Sequence, residues 1–147
     1  MSSWKIEFDR KKFDLTLVKK GDHRFIYNLI KNFLKTSLSV TFLKMPSYNE
    51  FEKKYFCNDF KRYVITNELN KKVGFVVITK DDEIGYFLDS KFQGLGIGVK
   101  AVKKLMDLNP RERYYATIHI KNKSSIKLIK KLGFIPKATI YEKIKKI

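Results

Sequence analysis

Phe13, Leu15 and Leu17 alternate with polar residues in KKFDLTLVKK, a period of two that predicts a first strand. Gly21-Asp22 then offers a helix start with Asp22 as N-cap. Phe25, Ile26, Leu29, Ile30, Phe33 and Leu34 follow at helical spacing and predict an amphipathic helix. After a connection of mixed character, TSLSVTFLKMP, Ser47-Tyr48-Asn49-Glu50 fits a capping box. It opens a second short helix carrying Phe51 and Tyr55. Three apolar runs come next, RYVIT, KVGFVVIT and EIGYFL, separated by the polar turns NELNK and KDD. Connections that short join antiparallel strands. A third helix runs to about Leu108, where Asn109-Pro110 stops it. RYYATIHI predicts another strand, and ATIYEKI a last one. Between them, Asn122 to Leu132 predicts a helix ended by Gly133. The order β-α-α-β-β-β-α-β-α-β describes a mixed α/β fold with an antiparallel first half.

Composition narrows the class. The 147 residues show no internal repeat and no Pro/Gly/Ser linker, so residues 1–147 are expected to form one domain. No apolar run approaches the ~20 residues of a membrane span, so no membrane partner is expected. The start lacks the apolar core of a secretory signal. Cys57 stands alone, cannot form an internal disulfide, and fits a cytoplasmic location; it reads as a helix residue with no role. With only two histidines, no metal-site spacing occurs. The net charge of +17 is carried by lysines dispersed from Lys5 to Lys146 and reads mainly as a lysine-rich surface. A field of this sign should repel polycations such as polyamines and attract anionic ligands.

One stretch carries chemistry. DSKFQGLGIGVK places three of the seven glycines, Gly94, Gly96 and Gly98, at a strand-to-helix junction. First-turn amides of a helix lack internal partners, the helix dipole adds positive charge there, and glycine lets backbone approach phosphate oxygens. Gln93-Gly94-Leu95-Gly96-Ile97-Gly98 therefore reads as a phosphate cradle. The dinucleotide pattern fails by one residue, and a P-loop would need Lys where Val99 stands. Gln93, Gly96 and Gly98 instead fill Gln/Arg-x-x-Gly-x-Gly/Ala, which resembles the acetyl-CoA motif of the GNAT superfamily of N-acetyltransferases. A second element agrees. Asn122, Ser125, Leu128, Lys131, Gly133 and Phe134 fall into Asn-x-x-Ser/Ala-x-x-Leu-x-x-Lys-x-Gly-Phe of that family.

The resemblance implies a fold with about four helices around a central sheet in which two strands splay apart, and acetyl-CoA as co-substrate. Carried over, Leu88 pairs with the pantetheine arm through its backbone. The amides of Gln93, Gly94, Leu95, Gly96, Ile97, Gly98 and Val99 hold the pyrophosphate. Asn122 touches the cofactor and also caps its helix. The chemistry is direct acyl transfer to an amine, which attacks only when neutral and so needs a base. Glu83 is the candidate base; its plain alternative is a strand-edge carboxylate beside Asp81 and Asp82. Many family members carry Tyr after the Leu of the second motif as proton donor, but here that position is Ile129. The branch resembling ribosomal-protein N-terminal acetyltransferases often lacks that Tyr and has Ser at the Ser125 position. Ser125 is accordingly the candidate acid, or a small residue that lets its helix pack closely. Tyr86 and Tyr141 are reserve donors, and His119 reads as a structural histidine.

The acceptor is expected to meet the loop between the first two helices, where Phe42, Leu43 and Met45 stand and no acidic cluster appears. A protein N-terminus, with the ribosome as a partner, or a small-molecule amine such as an amino sugar fits best. Two other readings are a basic ribosome- or nucleic-acid-binding module, with Tyr114 and Tyr115 as stacking aromatics, and an acyl-CoA sensor without catalysis. Oligomeric state is not legible.

Overall fold

In the computed structural model, which describes residues 5–9, 13–40, 44–56 and 59–145, five strands form one antiparallel sheet in chain order. They are β1 (Lys5–Asp9), β2 (Phe13–Leu17), β3 (Lys61–Asn67), β4 (Lys72–Ile78) and β5 (Ile84–Leu88). Four α-helices accompany them among the described residues: α1 (His23–Leu34), α2 (Tyr48–Tyr55), α3 (Ile97–Leu108) and α4 (Lys123–Lys131). Strand alternation explains the layers, since neighbouring side chains leave opposite faces. Leu15, Ile65, Val76 and Ile78 pack on the face covered by Ala101, Val102 and Leu105 of α3 and Ile129 of α4. Val64, Phe75 and Val77 face the other way, against Ile26 and Tyr27 of α1 and Phe51 of α2. β4 is an interior strand covered on both sides, which is why its sequence is a continuous apolar run.

The turns follow their chemistry. NELNK and KDD place Asn70 at φ 61° and Asp82 at φ 71°, left-handed positions that Asn and Asp tolerate better than most residues. Arg111 ties the second turn down: its guanidinium contacts the Asp82 carboxylate at 2.6 Å and donates to the Thr79 carbonyl at 3.2 Å. The Ser47 hydroxyl accepts from the Glu50 amide at 3.3 Å, so α2 starts on the predicted cap. Asp22 differs from expectation. Its carboxylate accepts from the Lys19 amide and pairs with Lys72 at 2.7 Å, closing a short 3-10 turn rather than capping α1. β1 was not expected, and Cys57, Phe42 and Leu43 lie outside the described residues.

The last two predicted strands are not regular strands. In RYYATIHI only Tyr115 pairs, through a parallel bridge to Glu83. Burial still alternates there, with Tyr114, Ala116 and Ile118 packed inward, so the pattern is strand-like without a ladder. ATIYEKI forms no strand, and Ile140, Tyr141 and Ile144 are exposed. β-propensity describes fit to a half-buried pleated surface and does not create one.

His23 at the start of α1 stacks on Phe56 with centroids 3.6 Å apart, and its Nδ1 is buried without a hydrogen-bond partner. Burial lowers its pKa below the ordinary value. Glu52 and Asp22 pull the other way, and Arg62 and Lys20 reinforce the lowering. The unfolded chain therefore binds this proton more readily than the folded one, and stability rises with pH through the interval below about 6.5. Thermal melts should show Tm falling as pH drops from 7 to 5. His23→Phe, which keeps the stack, should flatten part of that fall; an unchanged slope would contradict the reading.

Candidate cofactor and acyl-transfer site

The site begins where β5 ends. The Asp89 amide bonds the Val73 carbonyl at 2.9 Å, fixing the end of β5 on β4. The Asp89 carboxylate accepts from the Lys91 amide at 3.1 Å and caps a short 3-10 turn, Ser90–Phe92. Gln93 then turns its side-chain amide back to the Leu88 carbonyl at 3.4 Å. Gly94 sits at φ 79° and Gly96 at φ 78°, both left-handed and both exposed. Alternation of such residues turns successive amides toward one side and makes an anion-binding concavity. The first bond of α3 runs from the Lys100 amide to the Gly96 carbonyl at 3.4 Å, so the amides of Ile97, Gly98 and Val99 have no acceptor within the helix. Their twelve-residue helix adds its dipole, and its first turn holds no acidic side chain to compete.

Gly98 has a different task. A Cβ there would lie 2.6 Å from Leu128 Cδ1 and 3.6 Å from Leu88 Cδ1, so its bareness lets α3, α4 and the end of β5 meet. Asn122 caps α4, its side-chain oxygen accepting from the Ser125 amide and the Ser124 hydroxyl, each at 3.3 Å. Ser125 is half-buried in the first turn of α4, on the side of the sheet that Tyr86 faces.

Glu83 stands where β5 and the 115–119 segment touch. The Ile84 amide donates to the Tyr115 carbonyl at 2.9 Å, and the Tyr115 amide to the Asp82 carbonyl at 3.1 Å. Beyond this bridge no ladder joins the two segments, so from Gly85 to Leu88 this edge of β5 has no strand partner; this unpaired edge is the gap. Carbonyls and amides of β5 facing that gap are available to an added extended chain. The Glu83 carboxylate accepts from the Thr117 hydroxyl at 3.0 Å. Thr117 and Arg111 were not singled out from sequence. They lie 34 and 28 positions from Glu83, and no local pattern links residues so far apart.

Next to the gap lies a broad cleft of about 2080 Å³ reached by Ser37 and Lys44 of the α1–α2 connection and by His119. Asp107, Glu112 and Glu142 also line it, so carboxylates absent from the connecting loop arrive from elsewhere in the chain. The His119 Nδ1 accepts from the Lys121 amide at 3.1 Å and closes a turn. Tyr141 is 91% exposed and far from being a held donor. Tyr114 is half-buried, its hydroxyl donating to the Asn109 carbonyl at 2.7 Å and accepting from the Arg111 amide at 2.9 Å, which removes it as a free stacking surface. Among the described residues no cluster of His, Cys, Asp and Glu could hold a metal, and no helix is long and apolar enough to cross a membrane.

Known proteins share the family and the fold. The model of the acetyltransferase (GNAT) family matches residues 26–134. A crystal structure of a domain from Methanocaldococcus jannaschii superposes with a TM-score of 0.77 at 22% identity, covering 89% of this chain and 93% of that one. Spermidine N-acetyltransferase from Vibrio cholerae in complex with CoA and spermine superposes with a TM-score of 0.74 at 20% identity, over 90% and 86% of the two chains. A dodecameric structure of the Vibrio cholerae enzyme gives 0.71 at 22% identity, over 90% and 84%. No curated protein matches the chain.

Proposed function

The chain belongs to the GNAT family of acetyltransferases, and from that premise we propose that it transfers the acetyl group of acetyl-CoA to the primary amine of a small molecule. The observation that carries this reading is the cradle of amides from Gly94 to Val99, with Gly94 and Gly96 left-handed, at the mouth of the gap between β5 and residues 115–119; the Gln93 amide, expected in that set, instead donates to the Ser90 carbonyl at 3.4 Å. Acetyl-CoA supplies an activated acetyl group as a thioester. Gly94 to Val99 bind its pyrophosphate, and the backbone near Leu88 accepts the extended pantetheine and offers an amide to the developing oxyanion. Asn122 fixes the start of α4 and with it the place of Ser125 beside the site. Glu83, beside the gap and oriented by Thr117, takes the proton that the attacking amine must lose.

The acceptor is read more coarsely. Solved structures with this fold include a spermidine N-acetyltransferase in complex with CoA and spermine, and no support stands beside it for a protein N-terminus, a ribosome or the ribosomal-protein branch. The net charge of +17 disfavours a polycation at long range. Asp107, Glu112 and Glu142 in the cleft nevertheless give an ammonium group local partners. A small primary amine satisfies both. The lone cysteine suits a reducing compartment such as the cytoplasm.

The test is acetyl transfer from labelled acetyl-CoA to a panel of small amines that includes spermidine and an amino sugar. Transfer to at least one small amine is expected. Binding without any transfer would leave only a sensor, and transfer to N-terminal peptides alone would overturn the acceptor class. In the same assay Glu83→Gln should lower kcat about a hundredfold with the KM for acetyl-CoA unchanged. An unchanged kcat would reduce Glu83 to a strand-edge carboxylate.

A further inference from the structure

Ile129 occupies the helical position where a phenol could have faced the site, and it is buried in the core instead. A phenol does stand on β5, on the same sheet face. Tyr86 lies in β5, paired with Val76, between the Glu83 bridge and Leu88, and its side chain shares the sheet face that carries α3 and α4. Its hydroxyl is buried, yet it makes no hydrogen bond of standard geometry. A buried hydroxyl without a partner is costly, and such an atom in a native fold calls for a ligand or a function. The neighbouring polar group is the hydroxyl of Ser125, held in the first turn of α4 by the Asn122 cap.

We propose that Tyr86, positioned by Ser125, is the proton donor to the departing sulfur. The assignment rests on acetyl transfer as the reaction. The amine nitrogen bonds the acetyl carbon, the carbon–sulfur bond breaks, and its electron pair stays on sulfur. The sulfur takes the proton of Tyr86 Oη. Glu83 takes the proton released by nitrogen, and the phenolate recovers a proton from water through the Ser125 hydroxyl. Atoms and charge balance with water as the only further participant. Burial raises the phenol's pKa above its ordinary value, while the Ser125 hydroxyl pulls it down, so the group is fully protonated at neutral pH. Tyr86 is thus the catalytic residue here and Ser125 a positioning residue.

Tyr86→Phe and Ser125→Ala test this, with calorimetric binding of acetyl-CoA and the pH dependence of kcat as readouts. Tyr86→Phe should bind acetyl-CoA within about twofold of wild type, lose ten- to a hundredfold in kcat, and lose the alkaline limb of the pH profile. Ser125→Ala should lose less and keep the limb at a shifted position. The double variant should be no worse than Tyr86→Phe alone, because the two act as one unit. Full kcat with the alkaline limb intact in Tyr86→Phe would overturn the assignment. If Tyr86→Phe unfolds, retention of the limb at its wild-type position in Ser125→Ala would overturn it equally. Failure of the wild type to bind acetyl-CoA would instead strike the proposed reaction itself.

Discussion

Gly96→Trp is expected to bind acetyl-CoA at least about a thousandfold more weakly than the wild type while remaining folded. Gly96 has φ 78°, and a Cβ there would meet nothing within 4 Å. The fold has room for the side chain, so the structural cost is the left-handed backbone alone, about 1–2 kcal/mol. For a chain of this size that is a Tm loss of about 2–8 °C. The cost to binding is larger because the indole would cover the amides at the start of α3. Hydrogen bonds to charged groups contribute about 1.5–3 kcal/mol each, and two or three of them lost exceed the roughly 4 kcal/mol of a thousandfold change. Calorimetry and a melt on the same preparation separate the two effects. Unchanged affinity in a folded variant would make the glycine stretch a structural turn only.

Gly74→Val should act oppositely, by destroying the frame rather than the cradle. Gly74 pairs with Leu88 at the end of β5. A Cβ on it would run into the Phe87 carbonyl oxygen and lie 2.8 Å from Leu88 Cδ2 and 3.2 Å from Leu88 Cα. Two of these three atoms are backbone and cannot swing aside. The strands must separate where the Asp89 amide bonds Val73, at the foot of the cradle. A destabilisation of about 3–5 kcal/mol follows from overpacking of this kind, a Tm loss of about 10 °C or more. Gly21→Val is the matched control, since nothing lies within 4 Å of a Cβ there. Its melt should stay close to that of the wild type, and equal losses in both variants would contradict the explanation.

How much of this was legible beforehand depends on the range of the interaction. The turn before α3 was readable because its cause is local: Gly94 and Gly96 take a left-handed backbone, and α3 starts one residue later. The caps at Ser47 and Asn122 were readable for the same reason, each side chain reaching three positions along its own helix. Interior strand β4 announced itself through an apolar run covered on both faces. What escaped was non-local. Nothing near Glu83 in sequence points to Thr117, and nothing near Asp82 points to Arg111, yet these contacts set where the gap opens. The unpaired Tyr86 hydroxyl was invisible because it depends on the face β5 turns toward α4. ATIYEKI shows the opposite error. Its alternation is suited to a strand, but Ile140, Tyr141 and Ile144 have no sheet to join.

The measurement closest to the central claim is calorimetric titration of the wild-type protein with acetyl-CoA at moderate salt. Micromolar, one-to-one binding that persists as salt is raised is the predicted result, since the amides from Gly94 to Val99 are directed donors rather than a diffuse charge. No heat at millimolar acetyl-CoA, or binding abolished by salt and equal in Gly96→Trp, would contradict it.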